Sequence, residues 1–371
     1  MMRGRHLKTR LLRVHLWLGI ILGFFWSLQG LSGAMLVFNR DIQAAWLAPA
    51  GAAAPLPLDT VIVRANKATG AKVTRLETFG PDPLLLLAYY PVENSDQIAV
   101  IDGRSGVVVD RRDPAAMLPS GGASWGWLLR LHETLLVGEA GMLLVGTSGL
   151  FLLTTILIGF WNVGWIGKWR DAFRMTRLTS ARQRLVGWHR LLGTLAAPAL
   201  LVMVTCGIYL AFAPQLRSML TATAGYQMPY KPKAQVAAPD VMLTAEQAYD
   251  VARQHFPGAT LVRLVLPTAK SPVYLFRLLQ RDDARRWAGT STIAIDPRSG
   301  AVRDVYDSAR GPLANRVTDA IYSIHTGDVA GVAGRLLVML AGLSLPVFAV
   351  TGVISWIRMR RRRSFASARA R

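Results

Sequence analysis

The chain has 371 residues, of which 52% are apolar, together with a formal net charge of +21 and a single cysteine, Cys206. Its mean hydropathy is +0.30, which is too apolar for an ordinary soluble protein of this length. The lone cysteine excludes an internal disulfide, a cysteine-ligated iron–sulfur cluster and haem attached through a CxxCH motif. The composition therefore predicts a membrane protein whose outer parts are held together by packing alone.

Four apolar runs are long enough to cross the hydrocarbon core of a membrane, which needs about 20 residues. They are predicted at residues 14–38, 137–163, 191–212 and 332–357. The first run follows a basic stretch, as the apolar core of a signal peptide does. It is nevertheless about 25 residues long, whereas such a core has about 7–15. We therefore expect four spans, the first of them a retained anchor.

The positive charge is concentrated in three short segments, residues 1–13, 166–190 and 358–371. These hold 19 Lys and Arg and one acid, while the two long regions between them are close to balanced. By the positive-inside rule, both termini and the loop between the second and third spans are cytoplasmic and the long regions are periplasmic. A nucleic-acid-binding protein would need one basic face on a folded domain. Membrane lipid is thus an expected partner and nucleic acid is not.

Eight segments are predicted in chain order. They are a basic tail with the first span (1–38), an outer module (39–125), a second span with a periplasmic lead-in (126–165), a basic loop (166–188), a third span (189–213), a second outer module (214–317), a fourth span with its lead-in (318–357) and a basic tail (358–371). The expected fold is a four-helix transmembrane bundle with two small α+β modules, in the inner membrane of a bacterium.

The two halves of the sequence resemble each other. RLLRVHLWLG (10–19) matches RLVGWHRLLG (184–193), and LHETLLVGEAG (131–141) matches IHTGDVAGVAG (324–334). The first and third spans align at an offset of 174 residues, and the second and fourth at 193. Each half makes an even number of crossings, so the copies have the same orientation and are predicted to form a parallel internal repeat.

The outer regions also correspond to each other. IDGRSGVVVD (101–110) and IDPRSGAVRD (295–304) each predict a β-hairpin with a tight turn. An amphipathic helix is predicted over 243–256, with Thr244 as its N-cap. Further predicted elements are a helix at 59–70 and strands at 261–266 and 273–279. Each outer module is thus expected to be a helix on a short antiparallel sheet.

Four of the six histidines fall at matched positions of the repeat: His15, His132, His189 and His325. The topology places His15 and His189 at the cytoplasmic ends of their spans, and His132 and His325 at the periplasmic ends. Two imidazoles on facing helices fill both axial positions of a haem iron, which favours electron transfer over oxygen binding. The sequence therefore predicts two bis-histidine haems, one held by His15 and His189 and the other by His132 and His325.

Other interpretations of these segments stay open. Zinc would find two histidines at each level, with Glu133 and Glu139 able to add ligands only at the outer one. Small residues near the faces of His15 and His189 either line a slot for a flat macrocycle or serve close helix packing; they are Gly19, Gly23, Gly33, Gly193, Ala197 and Gly207. Arginines placed to bind haem propionates, or to signal topology, are Arg13, Arg130, Arg184, Arg190 and Arg316. His6 and His255 are assigned no cofactor role.

No soluble-enzyme motif is present in the sequence: there is no phosphate loop, no GxGxxG turn and no nucleophile elbow. No catalytic residue is therefore predicted, and electrons must come from a separate cytoplasmic donor. The basic inner surface would attract an acidic partner such as a flavoprotein, although topology signalling and anionic lipid suffice to explain that charge.

The histidine motifs LHETLLVGEAG, IHTGDVAGVAGRLL with TGVISWI, and RLVGWHRLLG are similar to those of the PepSY-associated transmembrane proteins. The two hairpin motifs resemble the periplasmic PepSY modules of that family, and the resemblance covers nearly the whole chain. The family includes iron-regulated inner-membrane proteins and ferric-siderophore reductases, which hold two b-type haems. The resemblance implies axial-ligand roles for His15, His189, His132 and His325, and reduction of periplasmic ferric siderophore.

Three functions are consistent with the sequence. The favoured one is a dihaem oxidoreductase that reduces ferric siderophore. Reduction suits the release of iron, because hard oxygen ligands hold Fe(III) far better than Fe(II). The second is a non-enzymatic PepSY protein that binds or restrains a periplasmic peptidase or another envelope partner, which needs the outer modules but not the histidines. The third is a haem electron conduit to a different acceptor, such as a quinone or a periplasmic redox enzyme.

Overall fold

The chain divides into two units, each assembled from separate segments of the sequence. The computed structural model describes residues 2–47, 54–79, 82–93, 95–114, 122–165, 180–285 and 288–369. The first unit, here called the helical unit, comprises residues 1–37, 129–213 and 324–371. The second, called the sheet unit, comprises residues 38–128 and 214–323.

Four long apolar helices make up most of the helical unit: α1 (Met2–Leu36), α5 (Gly138–Trp165), α6 (Ala181–Ala211) and α10 (Gly331–Arg369). Each contains a stretch that is long and apolar enough to cross a membrane. The four predicted spans are therefore confirmed as helices of membrane-spanning length and composition. The third helix begins well before its apolar run, at a capping box in which the Ser180 side chain accepts from the Gln183 N–H.

The four helices form a bundle in which α1 and α6 each pack along both α5 and α10. Around the bundle the order is therefore α1, α5, α6 and α10, so that α1 and α6 lie on opposite sides. Small residues permit the closest approaches. At the α1–α10 crossing, a methyl group on Gly342 would lie 2.7 Å from the Gly30 carbonyl oxygen. This is the close backbone packing that membrane helices use.

His132 and His325 do not lie on the spanning helices that follow them. The lead-in segments instead form separate helices, α4 (Ala123–Thr134) and α9 (Leu313–Thr326), whose histidine-bearing ends belong to the helical unit. The chain breaks before α5 at Leu135 and Leu136, with φ of 52° and 65°. Positive φ of this kind ends a helix. The lead-ins that carry the outer histidines are therefore helices of their own, separate from the spans that follow them.

The other short helices and the strands belong to the sheet unit. The helices are α2 (Asn39–Leu47), α3 (Leu58–Thr69), α7 (Ala213–Ala224, whose first residue falls in the helical unit) and α8 (Ala245–His255). The strands are β1 (Arg75–Phe79), β2 (Asp82–Val92), β3 (Ser95–Asp102), β4 (Val108–Arg112), β5 (Thr260–Val265), β6 (Tyr274–Leu279), β7 (Ser291–Ile295) and β8 (Val302–Tyr306). The predicted helix at 243–256, the helix at 59–70 and both extra strands are confirmed within two residues. Thr244 caps α8 as predicted.

The eight strands form one antiparallel sheet in the order β4-β3-β2-β1-β5-β6-β7-β8. Two separate modules were expected, but β1 pairs with β5 from Arg75↔Val265 to Glu77↔Arg263 and joins the two halves. This correction has a physical reason, because each four-stranded half would otherwise expose the backbone groups of an unpaired edge strand. Each half keeps the same internal order, with α3 or α8 directly before its four strands.

Helices α3 and α8 cover one face of this sheet and cap each other. The Asp59 carboxylate accepts from the Ala245 N–H at 2.8 Å, while the Glu246 carboxylate accepts from the Leu58 N–H at 2.8 Å. Beneath the helices lies a core that includes fully buried Leu264. Because side chains alternate along a strand, the residues next to these core positions face the other side of the sheet.

Both predicted hairpins are present, and an aspartate organises each turn. Asp102 accepts from the N–H and the hydroxyl of Ser105, and Asp296 accepts from the N–H and the hydroxyl of Ser299. The Arg303 side chain also donates to Asp296, with Nε at 3.1 Å. That ion pair, followed by the bond from the Ser299 backbone, holds the pKa of Asp296 well below its ordinary value of 3.8.

Replacing Asp296 with asparagine should lower the melting temperature of the purified protein by a few degrees at pH 7. The folded-state pKa is depressed, so the carboxylate stabilises the fold fully above pH 3.8 and loses this effect as the pH falls towards the folded-state pKa. The difference between wild type and Asp296→Asn should therefore shrink below about pH 4. Asp282→Asn, at an exposed aspartate outside the turn, is the control. A pH-independent difference would contradict the prediction.

Candidate functional site

Two of the predicted ligands, His15 and His189, meet inside the helical unit. They lie on the opposed helices α1 and α6, and their ring centroids are 6.2 Å apart with an interplanar angle of 89°. Both side chains are half-buried. The structure therefore brings together the inner pair that the sequence analysis assigned to one site.

The outer pair, His132 and His325, meets in the same way. The two rings lie at the ends of α4 and α9, with centroids 6.4 Å apart and planes inclined at 45°. Each pair takes one histidine from each half of the chain, as predicted. Of the other two histidines, His6 is exposed in α1, and His255 is exposed in the sheet unit and bonds the Val251 carbonyl one turn earlier in α8.

Backbone carbonyls fix one ring in each pair. His15 Nδ1 lies 3.0 Å from the Thr155 carbonyl oxygen, and His325 Nδ1 lies 3.0 Å from the Met203 carbonyl oxygen. A carbonyl only accepts, so Nδ1 must carry the proton in both residues. In a neutral imidazole the other nitrogen, Nε2, then holds a free lone pair.

Hydroxyl groups fix the other two rings. His132 Nδ1 lies 3.0 Å from Ser32 Oγ, and His189 Nδ1 lies 2.8 Å from Thr351 Oγ1. The Ser32 hydroxyl donates its proton to the Leu28 carbonyl at 2.8 Å, and Thr351 donates in the same way to a carbonyl one turn earlier in its helix. Each hydroxyl must therefore accept from Nδ1–H. All four imidazoles are in the tautomer that leaves Nε2 available to a metal, with the outer-shell hydrogen bond typical of metal-bound histidine.

Three glycines let the imidazoles lie directly against neighbouring helices. A methyl group on Gly33 would be 2.8 Å from His132 Cε1, and one on Gly207 would be 3.2 Å from His325 Cε1. Gly159 has the same relation to His15, at 3.2 Å. Helical periodicity predicts Gly33 and Gly207 on the faces of His15 and His189. The structure shows instead that they accommodate the outer histidines.

The remaining small residues divide between the two interpretations left open above. A methyl group on Gly19 would meet no atom within 4 Å, and one on Gly193 would meet only Phe348, at 4.0 Å. Open space therefore lies one helical turn from each inner histidine. Gly23, in contrast, packs against Ala349, and Ala197 is buried, so these two serve helix packing.

The spacing of both pairs fits a shared metal ion. A metal bonded to two imidazole nitrogens at about 2 Å separates the ring centroids by roughly 6 Å, since each centroid lies about 1 Å behind its nitrogen. The observed 6.2 and 6.4 Å agree with that value. Among the described residues, no group of three or more His, Cys, Asp and Glu side chains is placed to hold a metal. Each pair would therefore supply two ligands, the number that a haem takes from a protein when its macrocycle supplies the other four.

The outer histidines are neutral near pH 7. Both lie outside the four spanning helices. Burial, followed by the charge of the neighbouring His325, lowers the pKa of His132 to about 4. Burial also lowers the pKa of His325. A neutral imidazole is the form that binds iron or zinc.

The residues that orient the histidines were missed by the sequence analysis. Thr155 and Met203 contribute only backbone carbonyls, and no side-chain signal marks such a role. Ser32 and Thr351 had a detectable signal, since a hydroxyl on an apolar span needs a partner. The Gln29 backbone also bonds His132. Gln29 and Met203 are 174 residues apart, which is the offset at which the first and third spans align.

The arginines suggested for propionate binding belong to different units. Arg13, Arg130, Arg184 and Arg190 belong to the helical unit that contains the histidines, whereas Arg316 belongs to the sheet unit. Their roles stay predictions.

In a comparison with protein-family models, the model described as the PepSY-associated TM region matches residues 12–358. No curated protein gives a significant match to the chain. The matched range includes the apolar runs of all four spanning helices, both histidine pairs and all eight strands. The chain therefore belongs to the PepSY-associated transmembrane family.

Proposed function

We propose that this protein is a dihaem oxidoreductase of the bacterial inner membrane that passes electrons from a cytoplasmic donor to a periplasmic acceptor, with ferric siderophore as the favoured acceptor. The observation that carries the proposal is the pairing of four imidazoles at 6.2 and 6.4 Å, one from each half of the chain in each pair. A chain that needed only its outer modules would have no use for this arrangement.

Each side chain at these sites has a defined part. His15 and His189 would hold the inner group and His132 and His325 the outer one, each through Nε2. The bonds to Nδ1 orient the rings and raise the basicity of Nε2. A haem held by each pair would supply one-electron transfer. The apolar helices around the pairs would limit the access of water to it.

The proposed direction of transfer comes from charge. The basic segments support a topology with the inner pair near the cytoplasm and the outer pair near the periplasm. We further propose that the chain arose by duplication, because each half then supplies one ligand to each site and one half of the eight-stranded sheet. The two sheet halves are the proposed PepSY modules. Reduction of Fe(III) to Fe(II) would weaken the bonds between the iron and the hard oxygen ligands of a siderophore and so release the metal.

The proposal is tested by counting haem in the purified protein. We expect a reduced-minus-oxidised spectrum with b-type Soret and α bands, and two haems per chain by a pyridine haemochrome assay. Protein from haem-supplemented cells that still contains no haem would refute the proposal and favour the non-enzymatic function. Reduction of a ferric siderophore by dithionite-reduced protein in stopped-flow measurements would then distinguish siderophore from quinone as the acceptor.

A further inference from the structure

A row of polar side chains crosses the face of the sheet opposite α3 and α8. Five residues on five adjacent strands are in register: Glu77 pairs with Arg263, Arg263 with Arg277, Arg277 with Thr292, and Thr292 with Tyr306. Their strand neighbours Leu76, Leu264, Phe276 and Leu278 belong to the core beneath the helices. The row therefore lies on the other face of the sheet.

The centre of the row places two like charges side by side. Arg263 and Arg277 are directly opposed on antiparallel strands, an arrangement that destabilises a sheet. Glu77 does not relieve it. Its carboxylate is shared by Arg75, with Nε at 3.0 Å, and Arg263, with Nε at 2.7 Å. Arg277 has neither a hydrogen bond nor an ion pair with any described residue, and its Nε is buried.

More positive charge surrounds this centre. Arg285 lies over the Tyr322 ring, 4.4 Å from its centroid, and Arg217 lies close enough to interact with Arg285. Asp319 accepts from the Tyr306 hydroxyl at 3.2 Å, and its charge also acts on Arg277 and Arg285. Burial, followed by the charges of Arg263 and Arg285, lowers the pKa of Arg277 to about 10, so it stays charged at pH 7.

Arg277 is half-buried, its Nε is fully buried, and it lies opposite a like charge. A partly buried charge in that position is costly unless something compensates it. The planar guanidinium fork matches the geometry of carboxylates and phosphates. The site is also open to a ligand, since the side chains of Arg75 and Arg263 are each 34% exposed. A bound anion would offset the opposed charges of Arg263 and Arg277 and give Arg277 a hydrogen-bonded partner.

We infer that this row, with Arg277 at its centre and Arg263 and Arg285 beside it, is a binding site for an oxyanion, a carboxylate or a phosphate. The oxyanion belongs either to a free small molecule or to an anionic lipid headgroup. The site lies wholly within the sheet unit and does not depend on either histidine pair, so it stands or fails separately from the proposed haem function.

The test uses the full-length protein in nanodiscs of phosphatidylcholine, with citrate and inorganic phosphate as probes of a free ligand. A second set of nanodiscs containing phosphatidylglycerol probes the lipid source. We expect citrate or phosphate, or phosphatidylglycerol, to raise the melting temperature of the wild type. Arg277→Met should weaken that binding about tenfold or more. The control Arg310→Met, at a side chain that is 89% exposed, should bind as the wild type does.

Stability without the anion separates a binding role from a structural one. Methionine fills much of the volume of arginine without its charge, so in anion-free phosphatidylcholine nanodiscs Arg277→Met should melt at or above the wild-type temperature. A lower melting temperature would overturn the inference, because Arg277 would then be stabilising the sheet. Equal affinity of wild type and Arg277→Met for all three probes would overturn it, as would a wild type that binds none. Loss of haem from Arg277→Met would overturn it too, by assigning the arginine to haem.

Discussion

His132→Ala protein should purify with one haem per chain instead of two. The reason is geometric: His325 would be the one imidazole left at the outer site, because no third His, Cys, Asp or Glu is grouped there among the described residues. Loss of an axial ligand from a non-covalent haem removes most of its binding free energy. The inner pair, on α1 and α6, should keep its haem and its low-spin bis-imidazole spectrum.

The complementary variant is His15→Ala, which should lose the inner haem and keep the outer one. Each single variant should reduce the haem count by about half, and His15→Ala with His132→Ala should abolish it. His255→Ala is the matched control, since His255 is exposed and belongs to the sheet unit. An unchanged haem count in His132→Ala, with the fold intact by circular dichroism, would contradict the assignment of the outer pair.

The elements of this protein were largely predictable from its sequence, because they depend on local patterns. Each span is an uninterrupted apolar run, and the α8 boundaries follow from the capping box at Thr244 and the glycine at 258. The pairing of histidines across the two halves was also predictable. It required only the positive-inside rule and the recurrence of one histidine at each level of each half.

The long-range pairing of strands could not be predicted in this way. The β1–β5 contact joins residues almost 190 positions apart, and either strand could have remained an edge. The break at Leu135 and Leu136 was also missed, because leucine rarely adopts positive φ and nothing in LHETLLVG marks a helix end before Gly138. Arg277 was overlooked because YLFRLL resembles any buried strand until its partner strand is known.

Gly33→Ala should reduce the outer haem content without removing any ligand. The added methyl group would lie 2.8 Å from His132 Cε1 and 3.4 Å from Nδ1, so the ring must move. Its bond to Ser32, the adjacent residue of α1, would be strained by the same shift. Displaced outer-shell partners typically cost about 10–100-fold in metal affinity. We therefore expect a count that falls from two haems towards one as the protein is diluted or dialysed.

Helix propensity argues in the opposite direction and makes the result diagnostic. Alanine favours a helix over glycine by about 1 kcal/mol. The change in helix propensity of α1 should therefore not lower the melting temperature of Gly33→Ala below that of the wild type. Gly352→Ala is the matched control, because a methyl group there meets nothing within 4 Å; it should keep the outer haem. Gly207→Ala, at 3.2 Å from His325, should have a smaller effect than Gly33→Ala. If all three variants retain the outer haem equally, the close approach of α1 to His132 does not position that ligand, and its orientation would depend on Ser32 and the Gln29 backbone.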